Sequence, residues 1–431
     1  MSRITRLPRR DFLRLGALAA GGAFLTSRLC LANAAAPGRR RPRFVLVVLR
    51  GALDGLAAVP PLGDRDYANL RGEFALRPSG DAKGALLLNG LFGLHPALNF
   101  LHDSYAAREL TVFHAVASPY RERSHFDGQD VLENGTPQPH ASQSGWLNRA
   151  LAESPGAAKR DSGVALGQNV PLVMRGPAEV TSWSPSKLSG LDEDTLARIT
   201  DLYSRDPLLS VRLADALAAD AMVAQAGGMD GMAPDMAAPG ASGQTAAAQP
   251  GAKPPAAGGG DRYAEIVRAA AGFLRQDNGP QVAVFDTTGW DTHANEGGAE
   301  GQLAGRLTAL DKGLATLRAE LGPAWNDTAV LLVTEFGRTA AINGTRGTDH
   351  GTATMALLLG GAVAGGRVIA DWPGLSSRSL YQGRDLMPTL DLRCVLKGLL
   401  EEHLGVPARA LDSTVFPGSE RARPLRGLLK T

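Results

Sequence analysis

Five short apolar runs constrain the fold of this chain more than any other feature: residues 44–49, 110–116, 281–286, 328–334 and 354–360. Each is nearly continuous in Val, Leu, Phe and Ala rather than alternating with polar residues. That is the pattern of a strand buried on both faces, as in parallel sheets. Helical patterns lie between them, at 95–108, 191–203, 261–276, 300–321 and 385–403, with a shorter one from Ser124 to Asn134. Strands alternating with helices predict an α/β fold, a mainly parallel sheet sandwiched by helices. With 44% hydrophobic residues in 431, the chain has apolar surface enough for a large core. No stretch of about 18 clean apolar residues occurs, so a multi-pass membrane protein is excluded and no stable membrane span is expected.

The two ends of the charge balance differ. Residues 1–34 hold six Arg and one Asp, a net of +5, so the remainder carries 39 − 42 = −3 out of an overall +2. The basic character belongs to the leader, and a nucleic-acid partner loses its main support. The leader reads Pro8-Arg9-Arg10-Asp11-Phe12-Leu13, then a Gly- and Ala-rich apolar run from Leu15 to Leu25, then Ala32-Asn33-Ala34. A charged segment, a short apolar one and a small-residue cleavage motif make a signal peptide. The paired arginines resemble a twin-arginine export signal. The expectation is a signal peptide over 1–34, handled by the twin-arginine translocase, and a periplasmic or extracellular mature protein. Cys394 is then the only mature cysteine, and no intramolecular disulfide can form.

A basic tether, 35–43, leads into one domain over 44–431, interrupted by an insertion. Between 223 and 260, 26 of 38 residues are Ala, Gly or Pro, and none is Leu, Ile or aromatic. Such a segment cannot bury enough apolar surface to offset the entropy of ordering it, and disorder is expected there.

Function in parallel α/β sheets collects just past the carboxyl ends of the strands. Residues 44–49 run into Arg50-Gly-Ala-Leu-Asp54-Gly, and 110–116 are followed by Arg123-Ser124-His-Phe. After 281–286 comes Gly289-Trp-Asp291-Thr-His293; 328–334 end in Glu335-Phe336-Gly-Arg338; Gly347-Thr-Asp349-His350-Gly precedes 354–360. If the strands lie side by side, these carboxylates and imidazoles share one rim, and crowding them needs a cation between them. Oxygen and nitrogen donors together suit Zn, with Mn, Fe or Mg as alternatives. Each residue also has a plainer role open to it. Asp54 can form a turn, Asp291 and His293 a local pair or helix cap, Glu335 an ion pair with Arg338, His350 a structural hydrogen bond, and Ser124 a helix N-cap. His95, His102, His114 and His140 are read as structural or exposed.

These same strings resemble the 1501 family of domains of unknown function, grouped with the alkaline phosphatase-like superfamily of phosphatases, sulfatases and cofactor-independent phosphoglycerate mutases. The resemblance implies an alkaline phosphatase-like domain in which Asp54 is a metal-binding Asp and Ser124 a helix-opening nucleophile. It implies an Asp291 and His293 ligand pair and a last His ligand at His350, oriented by Asp349. Glu335 falls where an Asp ligand is expected and Phe336 where its His partner would be, so one metal site (Asp291, His293, His350) is more secure than two. Arg50, Arg338 or Arg123 would hold the anionic oxygens of a phosphate or sulfate ester, attacked by Ser124 or by a metal-bound water.

Two functions follow. One is an exported, metal-dependent hydrolase of small or polymeric anionic esters. The other is a catalytically degenerate relative serving as an envelope binding or assembly partner. Phe336 favours the second; the retained Asp54, Ser124, Asp291, His293, Glu335 and His350 favour the first.

Overall fold

The computed structural model describes residues 41–430 apart from position 79, 81–82, 156–161, 186–198, scattered positions between 201 and 220, and 221–258. The expected signal peptide, most of the tether and nearly all of the expected insertion therefore lie outside the described residues, as does most of the helix expected over 191–203. The end of the tether is different: Arg43, buried, already belongs to the first strand.

All five apolar runs are strands. They are β1 (Arg43–Arg50), β2 (Leu110–Ala117), β5 (Val282–Thr288), β6 (Thr328–Val333) and β7 (Thr354–Leu359). Four shorter strands complete the sheet: β3 (Gly163–Leu166), β4 (Val180–Trp183), β8 (Arg367–Ile369) and β9 (Leu390–Asp391). The order is β8-β2-β7-β6-β1-β5-β3-β4, with β9 continuing β8 along the edge of β2. Every pairing within this sheet is parallel except those of β7, which runs antiparallel to both β2 and β6. The expected mainly parallel sheet is present, with one reversed strand near its middle.

The continuous apolar character of β1 has a direct cause. Val45, Val47 and Leu49 enter one hydrophobic cluster while Phe44, Leu46 and Val48 enter another on the opposite face. The first cluster is closed by α3 (Asn99–Ala106), α6 (Gly259–Arg275) and α7 (Gln302–Leu321). The second is closed by α5 (Trp146–Glu153) and α8 (Leu392–Leu404). The result is the expected sandwich of helices around a sheet. Two helices are shorter than their sequence patterns. α8 begins only at Leu392, because Pro388 cannot donate within a helix and Asp391 caps the start by accepting from Arg393 N at 2.9 Å. α3 begins after Pro96, at Asn99. No helix among the described residues is long and apolar enough to cross a membrane.

The reversed strand decides where the site forms. β1, β5 and β6 deliver their following loops to the carboxyl rim, and β7, running the other way, delivers its preceding loop there. His350, before Thr354, thereby meets residues that follow β5 and β6.

Candidate metal centre

Three imidazoles and one carboxylate converge on this rim. Asp291 Oδ1 lies 3.1 Å from His293 Nε2, 3.3 Å from His350 Nε2 and 3.4 Å from His125 Nε2. The Nε2 atoms of His293 and His350 are 3.0 Å apart. Among the described residues, His125, Asp291 and His350 form the group of His, Cys, Asp or Glu whose ligand atoms all lie within 4.8 Å of one another. His293 touches two of these three.

The far side of each imidazole shows what its Nε2 offers. His125 Nδ1 faces the Glu335 carboxylate at 2.8 Å, and His350 Nδ1 faces the Arg123 carbonyl at 2.9 Å. Both oxygens can only accept, so each Nδ1 carries the hydrogen and each neutral ring turns a lone pair at Nε2 toward the centre. His293 Nδ1 likewise faces Asp349 at 3.4 Å. His125 Nε2 is buried without a hydrogen-bond partner. Nitrogen lone pairs and a carboxylate oxygen at about 3 Å repel unless a proton or cation sits among them. The donor set, nitrogen and oxygen with the outer nitrogens tied back, fits a Zn-like ion. It is open on one side: the four side chains keep between 24% and 45% of their surface in solvent, too much for a sealed structural site.

The His125 and His350 imidazoles are shifted in opposite directions. Hydrogen bonding to Glu335 raises the His125 imidazole above its usual range, while burial lowers that of His350. Burial pushes the Asp291 carboxyl up, but the Arg338 guanidinium outweighs it and holds it below the ordinary range. Glu335, fully buried, is also held low: against burial it accepts from His125 Nδ1, Gln129 Nε2 (3.1 Å) and Gly51 N (2.9 Å).

The structure redistributes the roles that the sequence suggested. Asp291, His293 and His350 meet. Glu335 does not join them; it holds His125 from behind. Asp349 stands behind His293 and not behind His350, and also accepts from Asn343 Nδ2 at 3.0 Å. Asp54 is elsewhere: buried, it pairs with the equally buried Arg71 and caps α1 (Gly55–Ala58) through Leu56 N and Ala57 N at 2.9 and 3.1 Å. The Arg71 guanidinium, 3.9 Å from Glu296 as well, supplies the positive charge beside Asp54.

The arginines are committed as well. Arg338 is buried and binds Asp291 together with the carbonyls of Gly51, Ala52, Trp290 and Thr348, stitching three rim loops together beneath the centre. Arg123 pairs with Asp385 at 2.8 Å. Arg50 pairs with Glu133 at 2.7 Å and with Asp286. Ser124 occupies the N-cap of α4 (His125–Asn134), but its side chain makes no capping bond. It lies between Arg123, whose carbonyl holds His350, and His125.

His125 is the residue the sequence reading passed over. It stood in the quoted Arg123-Ser-His-Phe string, one position past the proposed nucleophile. Phe336, where the resemblance placed an imidazole, stacks on His125 with ring centroids 5.1 Å apart.

Several solved structures show some likeness. Ps i-CgsB in complex with k-i-k-neocarrahexaose matches at 12% identity over 89% of this chain and 77% of its own, with a TM-score of 0.36. The C-terminal periplasmic domain of EcEptC from Escherichia coli, in complex with Zn, matches at 12% over 89% and 88%, with a TM-score of 0.30. BT1596, a 2-O GAG sulfatase, matches at 11% over 74% and 64%, with a TM-score of 0.26. At such scores none of them says what this chain does. No curated protein matches the sequence significantly. One family does match, over residues 110–415, a span that takes in α4, β5, β6, β7 and all four converging side chains: the chain belongs to the family described as Protein of unknown function (DUF1501).

Proposed function

We propose that the chain is an exported, metal-dependent hydrolase of phosphate or sulfate esters, its ion held by His125, His293, His350 and Asp291. The observation that carries this reading is the convergence of three imidazole Nε2 atoms and one carboxylate oxygen, each ring fixed from behind, at a solvent-facing rim. A zinc-like ion supplies Lewis acidity, lowering the pKa of a hydroxyl or water and stabilising a departing oxygen. The chain's own residues do the rest. Ser124, free of capping duty at the start of a ten-residue helix, is the candidate nucleophile. Glu335 and the Arg123 carbonyl fix the tautomers of His125 and His350. Arg338 keeps Asp291 ionised and holds the rim loops in register. The alternative of a catalytically silent envelope partner keeps the support of Phe336, and the convergence of three imidazoles and a carboxylate favours the hydrolase over it.

Elemental analysis of protein purified without added metal tests the centre. About one transition-metal ion per chain is expected, falling by most of its value in His125→Ala and His350→Ala. An absence of stoichiometric metal, with no thermal shift on adding Zn or Mn, overturns the reading. Ser124→Ala should abolish turnover of an aryl phosphate or sulfate while retaining the metal; unchanged turnover would assign the attack to water.

A further inference from the structure

Beside the metal centre a cavity of about 1020 Å³ opens at the carboxyl ends of β1, β3 and β5. None of the four converging side chains lines it, but their neighbours in the chain do. Phe126, next to the ligand His125, and Trp290, next to the ligand Asp291, both line it. Arg50, also in its wall, is one hydrogen bond (3.0 Å) from Gln129, which donates to Glu335 (3.1 Å), the residue that grips His125. The volume is at the upper end of small-molecule sites and far exceeds what one phosphate or sulfate group fills.

The charges in the wall are unequal in how they are met. Its acids are all partnered. Asp130 accepts from Asn134 Nδ2 and His140 N, Glu133 from Arg50 and Val173 N, and Asp286 from Arg50. Three of its arginines are not. Arg175 after β3, Arg262 in α6 and Arg306 in α7 have no carboxylate partner among the described residues. Arg175 Nε and Arg306 Nη1 reach only the carbonyls of Val170 (2.8 Å) and Thr288 (3.4 Å). Arg262 and Arg306 also sit near the first turns of their helices, where the macrodipole opposes a cation. The wall carries four arginines against three carboxylates, a net of +1, and its three exposed arginines without a carboxylate partner present an entering anion with three guanidinium groups. Phe126, 88% exposed at the wall, adds an apolar face against which a ligand can lie.

We infer that this cavity holds the body of the substrate, and that the substrate is an extended polyanion. It carries at least one acidic group, a carboxylate, sulfate or phosphate, apart from the ester that is cleaved. Arg175, Arg262 and Arg306 bind that group through guanidinium pairs. The inference rests on the metal-dependent hydrolase reading for what happens at the rim, but not for the binding itself.

Fluorescein-labelled dextran sulfate is the probe, titrated into the full chain by fluorescence anisotropy at fixed salt, with neutral dextran as the inactive competitor. The combined Arg175→Ala, Arg262→Ala and Arg306→Ala variant should weaken binding by about tenfold or more, with bound metal unchanged. A control variant, Arg65→Ala, Arg421→Ala and Arg423→Ala, removes the same charge from exposed positions outside the cavity and should stay within about twofold of the parent. Equal binding by parent and cavity variant, or equal weakening by both variants, overturns the inference. His125→Ala should lose metal yet keep the dextran sulfate affinity, so metal content reports on the hydrolase reading and anisotropy on the cavity, and each can fail without the other.

Discussion

At the scale of single residues, the proposed centre depends on groups behind the four converging side chains. Glu335 sets which nitrogen of His125 carries the proton. Glu335→Gln keeps the shape but turns an acceptor-only group into one that can present a donor to Nδ1. Zinc affinity should fall by about 10–100-fold, measured by competition with a chelator; an unchanged affinity would show that His125 needs no anchoring. His114 is a buried imidazole of the other kind. It accepts from Ala115 N at 2.8 Å through Nδ1 and contacts the Val59 carbonyl at 2.9 Å through Nε2, so the neutral ring is fully used. Burial depresses its pKa from 6.5 to about 4. Between these values the unfolded chain binds the extra proton and the folded one does not, so stability falls as pH drops from 6.5 toward 4. The loss is about 3 kcal/mol. His114→Gln should flatten the pH dependence of the urea midpoint over that window by a comparable amount; parallel curves for the two proteins would refute the assignment.

At the scale of elements, the rim is assembled by close backbone approach. A Cβ on Gly347 would sit 2.4 Å from the His293 carbonyl carbon and oxygen, and one on Gly51, at φ +118°, would sit 2.6 Å from Asp291 N. Only glycine lets these loops lie against the segment that carries Asp291 and His293. Gly347→Ala should therefore cost about 1–3 kcal/mol in thermal unfolding and release the metal. Gly344→Ala, in open space in the same loop, should do neither. A Gly347→Ala protein with full metal content would show that the loops are free to separate. Elements were legible in the sequence where their burial was extreme. The five strands buried on both faces could be read from runs of Val and Leu. The two- to four-residue strands β3, β4, β8 and β9 could not, because so short a segment has no period. The start of α8 was misplaced because residues 385–391 are apolar at helical spacing while Pro388 forbids the helix.

At the scale of the whole molecule, the export signal proposed for residues 1–34 and the folded unit answer to different physics. Replacing Arg9 and Arg10 by Lys preserves charge and removes the paired guanidinium groups. A folded reporter fused to residues 1–34 should then stay inside the cell, as cell fractionation would show; continued export would end the twin-arginine assignment. Within Pro42–Thr431, which groups as one compact unit, the chain by itself determined which segments lie at the centre of a sheet and which loops carry His, Asp and Glu, because burial and loop chemistry are local properties of sequence. Only the tertiary structure decided which of those side chains meet. Strand order and the reversal of β7 brought His350 to Asp291, α4 brought His125 to the same carboxylate, and Arg71 drew Asp54 away. Pairings of that kind join residues up to hundreds of positions apart, and no periodicity in the chain encodes them.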